Sequence, residues 1–340
     1  MGDEMSEQPE LPDTGDVVAS ATQDEVPTGR VTWLTWVVRV LCVLALLVVV
    51  WVLVTAWPVV VHGHPAYALA LGTTVTLALL VGVRAWRNPK QPTGLRAWWR
   101  GVLVVLSLVG VGAVWWLTPF VAVEPALAAM QSDDVVTVDE YPTQIVMTPR
   151  SSVSSTAVFF QPGARVDARA YAAVLRPLAV SGVRVVISKQ PFGIAFFNTT
   201  AFSSVQAAYP DVTEWVVGGH SLGGTVACID ADAHDSDAEH PVTGLLLYAS
   251  YPATDMSASL TAAVLSISGS DDGLATPAKI DAAKPLLPDD TEYRVIDGAV
   301  HSYFGDYGPQ PGDGTPTISH DDARDQISSL SVQFVNGRPA

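Results

Sequence analysis

VVGGHSLGGTVA, residues 216–227, is the stretch on which the reading of this chain turns. A β-branched run leads in, a single serine stands among four glycines, and an apolar run with helical spacing follows. The pattern is G-x-S-x-G between a predicted strand and a predicted helix, the context of a nucleophile elbow. A strand that becomes a helix across one residue brings backbone against backbone. Side chains two positions to either side of the serine would collide there, which accounts for Gly219 and Gly223. Such a turn lifts the Ser221 hydroxyl above the sheet edge. The helix behind it turns its first N–H groups and its positive end toward a developing oxyanion, with the Leu222 amide first in line. The plainer reading is an ordinary glycine-rich turn, so the case depends on partners further along the chain.

Outward from the elbow, strands and helices alternate. VVTVDEYPTQIVMTP reads as an initial antiparallel pair, STAVFFQPG as a strand ending in a Pro-Gly turn, and DARAYAAVLRPLAVSG as a helix capped by Asp167 and strained near its end by Pro177. VRVVISKQP is a buried-type strand, and IAFFNTTAFSSVQAAYP has helical character up to Pro210. After the elbow come strands in VTGLLLYAS, TAAVLSISGS and TEYRVIDG, with helices in KIDAAKPLL and SHDDARDQISSLSVQFVNG. The fold class is α/β, a mostly parallel sheet with helices on both faces and right-handed crossovers, over residues 122–340.

A hydroxyl nucleophile needs a base and a group that orients the base, and in this topology both follow the serine, acid first. The strand AAVLSISGSDDG ends at Asp271 and Asp272, and YRVIDGAVHSYFG carries His301 just past the next strand. His301 is placed to act as general base, with one of the two aspartates fixing its tautomer. Asp297 is a third acid, better suited to capping a turn. His220 is the variable elbow residue and no base, and His234, His240 and His320 read as solvated. The second oxyanion donor is expected from FFQPGARV, as the Ala164 backbone N–H.

The N-terminal third differs. Residues 1–30 hold eight acidic residues and read as a disordered tail. From Val31 to Val123 there is no Asp or Glu, and three apolar runs, 40–57, 66–83 and 101–121, are long enough to cross a bilayer within a membrane segment spanning 31–121. The loop between the second and third runs carries Arg84, Arg87, Lys90, Arg96 and Arg100, whereas the loop between the first two has no Lys or Arg. The basic loop is expected in the cytoplasm, with the N-terminus beside it and the C-terminal domain on the extracytoplasmic side of a multi-pass cell-membrane protein. Trp residues cluster at the span ends as interfacial anchors. From Val121 onward, 26 acidic residues face 11 basic ones, which argues against nucleic acid and polyanionic substrates. Cys42 and Cys228 read as small buried hydrophobes, and His62 and His64 as plain loop residues with no metal site.

Residues 155–320 resemble the α/β-hydrolase superfamily, in particular the bacterial dienelactone-hydrolase-like set known as α/β-hydrolase fold-5. The carrying stretches are FFQPGARVDARAYAAVLRPLAVSGVRVVISKQPFGIAFF, GGHSLGG, YASYPATD, SISGSDDGLATP and GAVHSYFGDYGPQPGDGTPTIS. The resemblance implies that the acid follows a G-x-x-D pattern, favouring Asp272, three residues after Gly269, over Asp271. This chain departs from it in two places: Pro-Gly-Ala stands for Pro-Gly-Gly, and Val300 for an Asn before the histidine. The implied activity is cofactor-independent ester hydrolysis through Ser221, Asp272 and His301, on a small-molecule ester; the membrane segment lies outside the resemblance, and its three apolar runs are what would anchor the enzyme in the bilayer. Two alternatives stand beside it: an acyltransferase using the same triad, and a scaffold that keeps the fold without the chemistry. Only a short connection follows LLLYAS, so no large lid is expected.

Overall fold

The computed structural model describes residues 32–87 and 95–337, so the acidic tail and residues 88–94 of the basic loop lie outside the described residues. Four helices open the chain: α1 (Trp33–Thr55), α2 (Trp57–His62), α3 (Pro65–Arg87) and α4 (Leu95–Trp116). Three of them, α1, α3 and the Trp98–Trp116 part of α4, are long and apolar enough to cross a membrane. The 23 residues of α1 extend roughly 34 Å at about 1.5 Å per residue, against a hydrocarbon core of about 30 Å.

The boundaries differ from those read in the sequence for two local reasons. The first run breaks at Ala56 (φ −133°), where α1 ends and α2 begins with Pro58 in its first turn, a position that tolerates the missing N–H. The third helix stops at Trp116 and not at 121, because Pro119 has no donor to continue it. Residues 117–121 leave it in a non-helical path, and Phe120 pairs as an isolated bridge with Val166. Cys42 is half-buried among these helices, unlike the fully buried Cys228.

The rest of the chain builds one eight-stranded sheet. Its strands are β1 (Val136–Glu140), β2 (Gln144–Pro149), β3 (Thr156–Gln161), β4 (Arg184–Ser188), β5 (Glu214–His220), β6 (Val242–Tyr248), β7 (Ala263–Gly269) and β8 (Glu292–Ile296). The order is β1-β2-β4-β3-β5-β6-β7-β8, with β1, β2 and β4 paired antiparallel and the remainder parallel. The helices are α5 (Ala126–Ala129), α6 (Ala172–Val180), α7 (Ala201–Ala208), α8 (Leu222–His234), α9 (Pro277–Ala283) and α10 (His320–Asn336). The stretch 168–180 is a 3-10 turn followed by α6, with Asp167 accepting the Arg169 N–H as a cap, and α6 continues through Pro177. The stretch 194–210 splits likewise into a 3-10 turn at Ala195–Phe197 and α7.

Alternation along the strands assigns the two faces. Val158, Phe160, Val216 and Leu246 pack with Leu175 and Leu178 of α6 and Ile327 of α10. Their neighbours Ala157, Phe159, Val217 and Leu245 pack with Phe202 of α7 and Ala227 and Ala231 of α8. A one-residue slip in β3 would exchange Phe159 and Phe160 between these two cores, so the register is held from both sides.

The helical segment is joined to this domain by specific bonds. The Phe120 N–H donates to the Arg165 carbonyl at 2.7 Å, and the Asp167 N–H to the Phe120 carbonyl at 2.9 Å. The Arg165 guanidinium lies over the Trp116 and Phe120 rings and donates to the Trp116 carbonyl. Glu140 accepts from Lys189 at 2.8 Å and meets His62 Nδ1 at 3.0 Å, which gives His62 a partner that its short loop did not suggest. These contacts lie at the C-terminal ends of β3 and β4, beside the end of β5.

Candidate active site

Ser221 follows the last residue of β5 with φ 52° and ψ −124°, a region that side chains other than glycine rarely occupy. Three bonds hold it there. Its N–H donates to the Tyr248 carbonyl at 3.0 Å, and its carbonyl accepts the Thr225 N–H at 3.2 Å and the Ser250 hydroxyl at 2.7 Å. Gly219 and Gly223 are required by approach distance. A Cβ on Gly219 would sit 2.4 Å from the Gly223 carbonyl carbon, and one on Gly223 would sit 2.1 Å from the Gln161 oxygen. The second contact presses the first turn of α8 against the exit of β3. That places the Leu222 and Ala164 amides on neighbouring segments, and among the described residues neither amide has a hydrogen-bond partner.

Asp272 and His301 come together. His301 Nδ1 donates to Asp272 Oδ2 at 2.9 Å, and the two side chains are 2% and 0% exposed. Asp272 Oδ1 accepts the Leu274 and Ala275 N–H groups, each at 2.7 Å. Both carboxylate oxygens are thereby engaged, and His301 is left with Nε2 as its basic nitrogen. Asp271 turns elsewhere, accepting from Thr317 at 3.0 Å, and Asp297 accepts the Ser270 hydroxyl at 3.2 Å; the Gly298 N–H in its turn goes to Ser270 Oγ at 2.7 Å, so Ser270 and not Asp297 caps that turn. Among the described residues Ser221 Oγ is not hydrogen-bonded to His301; catalytic bonds of this kind often tighten only around substrate.

Three supporting groups were not singled out by sequence reasoning. The first is Asp313, whose carboxylate accepts the N–H groups of His301 (3.0 Å), Ser302 (2.8 Å), Gly314 (2.7 Å) and Gly273 (3.3 Å). Burial works to raise its pKa, but these four amides outweigh burial and hold it below the ordinary carboxylate value. Because Gly273 follows Asp272, this one carboxylate ties the acid loop to the histidine loop. The Gly-Asp-Gly run of residues 312–314 was its signal: Gly312 has φ 86°, and a Cβ on Gly314 would overlap the Asp271 carbonyl.

The second group is His220, which is buried and not solvent-facing. Tyr171 accepts the Gly163 N–H at 2.9 Å and shares a 2.8 Å bond with His220 Nδ1. The His220 ring lies 4.5 Å from that of His301. Burial, then the neighbouring His301, push the His220 pKa well below the ordinary histidine value. It is held neutral and so puts no positive charge beside His301. Gly163 leaves room for this pair, since a Cβ there would lie 2.7 Å from His220 Nδ1.

The third is a chain of amides behind the β3 turn. Gln161 Nε2 donates to Asp230 at 3.0 Å, and Gln190 Nε2 donates to Gln161 Oε1 at 3.0 Å and to the Pro162 carbonyl at 3.2 Å. Burial raises Asp230 to about 6. The other histidines are also less free than they read. His234 bonds to Ser203 at 3.0 Å, His240 to the Val212 carbonyl at 2.7 Å, and His320 stacks on Tyr303.

Residues 249–262 join β6 to β7 without a helix, so no lid domain arises there. Residues 157–325 match the model of the alpha/beta hydrolase family. No curated protein matches the chain. Several solved structures are similar to part of the chain. One is an esterase from Pseudomonas putida ECU1011, 14% identical, TM-score 0.44, covering 62% of this chain and 86% of that one. Another is a thermophilic esterase from Thermogutta terrifontis, 13% identical, TM-score 0.43, covering 58% and 90%. A third is an alpha-beta serine hydrolase homologue from Coxiella burnetii, 14% identical, TM-score 0.43, covering 60% and 99%.

Proposed function

We propose that this chain, which belongs to the α/β-hydrolase superfamily, is a membrane-anchored serine hydrolase that cleaves carboxylic esters. The observation that carries the reading is the buried 2.9 Å bond from His301 to Asp272, at the same sheet edge as the strained Ser221 elbow. Ser221 Oγ attacks the ester carbonyl carbon while His301 Nε2 takes its proton, and Asp272 steadies the imidazolium. The oxyanion is held by the Leu222 and Ala164 N–H groups, each free to donate. His301 returns the proton to the departing alkoxide, so an alcohol leaves and the acyl group stays on Ser221. Water then attacks the acyl-enzyme, His301 taking its proton and giving it back to Ser221, and a carboxylic acid is released.

The three apolar helices support anchoring, and the basic residues Arg84 and Arg87 at the end of α3, Lys90 after it, and Arg96 and Arg100 at the start of α4 support a cytoplasmic N-terminus with the hydrolase domain across the membrane. The test is labelling of intact cells with a membrane-impermeant fluorophosphonate, comparing wild type with Ser221→Ala. Labelling of wild type alone is the expected result. Labelling only after lysis would reverse the orientation, and no labelling in either state would overturn the serine mechanism.

A further inference from the structure

We propose that the mouth of this site opens at the bilayer surface and takes its substrate from the membrane, as a long-chain acyl ester of an amphiphile with an uncharged headgroup. The proposal rests on the anchored-hydrolase reading above and adds the substrate class.

Three independent observations converge on it. The first is proximity. Phe120, four residues past the end of α4, packs its ring 5.8 Å from Tyr307; Tyr307 lies 6.1 Å from His220, and His220 4.5 Å from His301. Three ring contacts thus lead from the chain leaving the apolar helices to the proposed base. The proposed oxyanion amide is as near, for Ala164 is bonded to Arg165, whose guanidinium clasps the last carbonyl of α4.

The second is level. Trp57, Trp115 and Trp116 are all more than half exposed and stand at one end of the helical segment, as an aromatic girdle does at the headgroup depth. The turns that follow β3 and β4 dock onto that same end through Arg165 and Phe192. The site edge of the sheet therefore shares the depth of the girdle.

The third is a run of aromatic side chains that starts in the helix cluster and ends exposed. Phe192 packs into the apolar cluster of Val52, Ala56, Tyr67 and Leu71 at the ends of α1 and α3. It does so at φ 56°, a conformation that costs a non-glycine residue on the order of 1–2 kcal/mol. Its ring makes an edge contact at 5.8 Å with Phe197, which is 63% exposed beside Phe196 at 45%. The 3-10 turn that carries both packs against α8, the helix behind Ser221. An apolar surface that continues a membrane girdle toward the nucleophile is matched by acyl chains. The excess of acidic residues from Val121 onward disfavours an anionic headgroup.

The reaction is unchanged in its balance: the ester C–O bond breaks, water supplies the hydroxyl and the proton, and a fatty acid and an alcohol result. The test uses the full chain in phosphatidylcholine vesicles with two esters of one leaving group, 4-methylumbelliferyl butyrate in solution and 4-methylumbelliferyl oleate in the bilayer. The paired substitution Phe196→Ser with Phe197→Ser is expected to lower the oleate-to-butyrate ratio of kcat/KM about tenfold or more. An unchanged ratio, or hydrolysis of butyrate without oleate, overturns the proposal while leaving the hydrolase reading intact. Loss of both activities in wild type together with loss of fluorophosphonate labelling sinks the hydrolase reading itself. A spin label at Phe197→Cys, in a background with Cys42→Ala and Cys228→Ala, tests the geometry without catalysis. It should collide with bilayer-dissolved oxygen and be shielded from a water-soluble nickel chelate; the reverse pattern overturns the membrane-facing mouth.

Discussion

Replacing Asp272 by Asn tests the proposed triad by changing one atom. In the native protein Oδ1 receives two backbone N–H bonds at 2.7 Å, and Oδ2 receives the His301 Nδ1–H at 2.9 Å. A carboxamide can satisfy only one of these sides with its oxygen. Turning its NH2 toward Leu274 and Ala275 would leave one buried and one half-buried N–H unpaired, at roughly 1–3 kcal/mol for the buried one. Turning it toward His301 costs only a change of tautomer, so that orientation wins. His301 Nδ1 then accepts, Nε2 carries the proton, and the base is lost. The expected fall in kcat is roughly 10³–10⁴-fold, or about 4–5.5 kcal/mol of transition-state stabilisation, with little change in melting temperature because the Oδ1 bonds survive. The assay is 4-methylumbelliferyl butyrate hydrolysis at pH 7, with Asp271→Asn as comparator, which should stay within about 0.5 kcal/mol of wild type. A fully active Asp272→Asn enzyme, or a larger loss from Asp271→Asn, would refute the assignment.

Three further outcomes follow from the supporting groups. Asp230→Asn keeps an acceptor for Gln161 but removes a buried charge. Because the folded pKa is raised to about 6, the native state binds more protons than the unfolded chain above its ordinary value, and wild-type stability falls as pH rises through that window. The variant should therefore be more stable than wild type at pH 8, by on the order of 3 kcal/mol, and gain nothing at pH 4; urea melts at the two pH values read this, and an equal effect at both would refute it. Asp313→Ala strands the His301 and Ser302 amides and should lower kcat about 10²-fold with KM nearly constant, since the loss is of alignment; a pure KM effect in steady-state kinetics would contradict the clamp. Gly223→Ala forces a Cβ to within 2.1 Å of the Gln161 oxygen, a backbone atom, and should cost 1–3 kcal/mol or more, seen as a lower melting temperature; a neutral substitution would mean that the α8–β3 approach is looser than described.

What the sequence made legible and what it hid divide along contact range. The elbow is written in adjacent letters, because Gly219, Ser221 and Gly223 answer to one local turn. That residues 156–161 form a strand could be read for the same reason, since a short contiguous apolar run ends at a Pro-Gly turn. The order of acid and histidine after the serine could be read because the parallel strands β5, β7 and β8 all end at one edge of the sheet. Their supports are different in kind. Tyr171 reaches His220 across 49 positions, and Gln161 reaches Asp230 across 69, so neither pair leaves a pattern in any window. Asp313 left a faint trace, since an aspartate between glycines, one at φ 86° and one pressed against a carbonyl, marks a place where backbone amides converge. The seam with the helices was hidden most completely, because Phe120 and Arg165 act through shape and their letters name no role. Yet it is on this seam that the proposal of a site facing the water–lipid boundary rests. The elbow argues for the chemistry, and the packing of a few aromatic side chains against the helix ends argues for where the ester comes from.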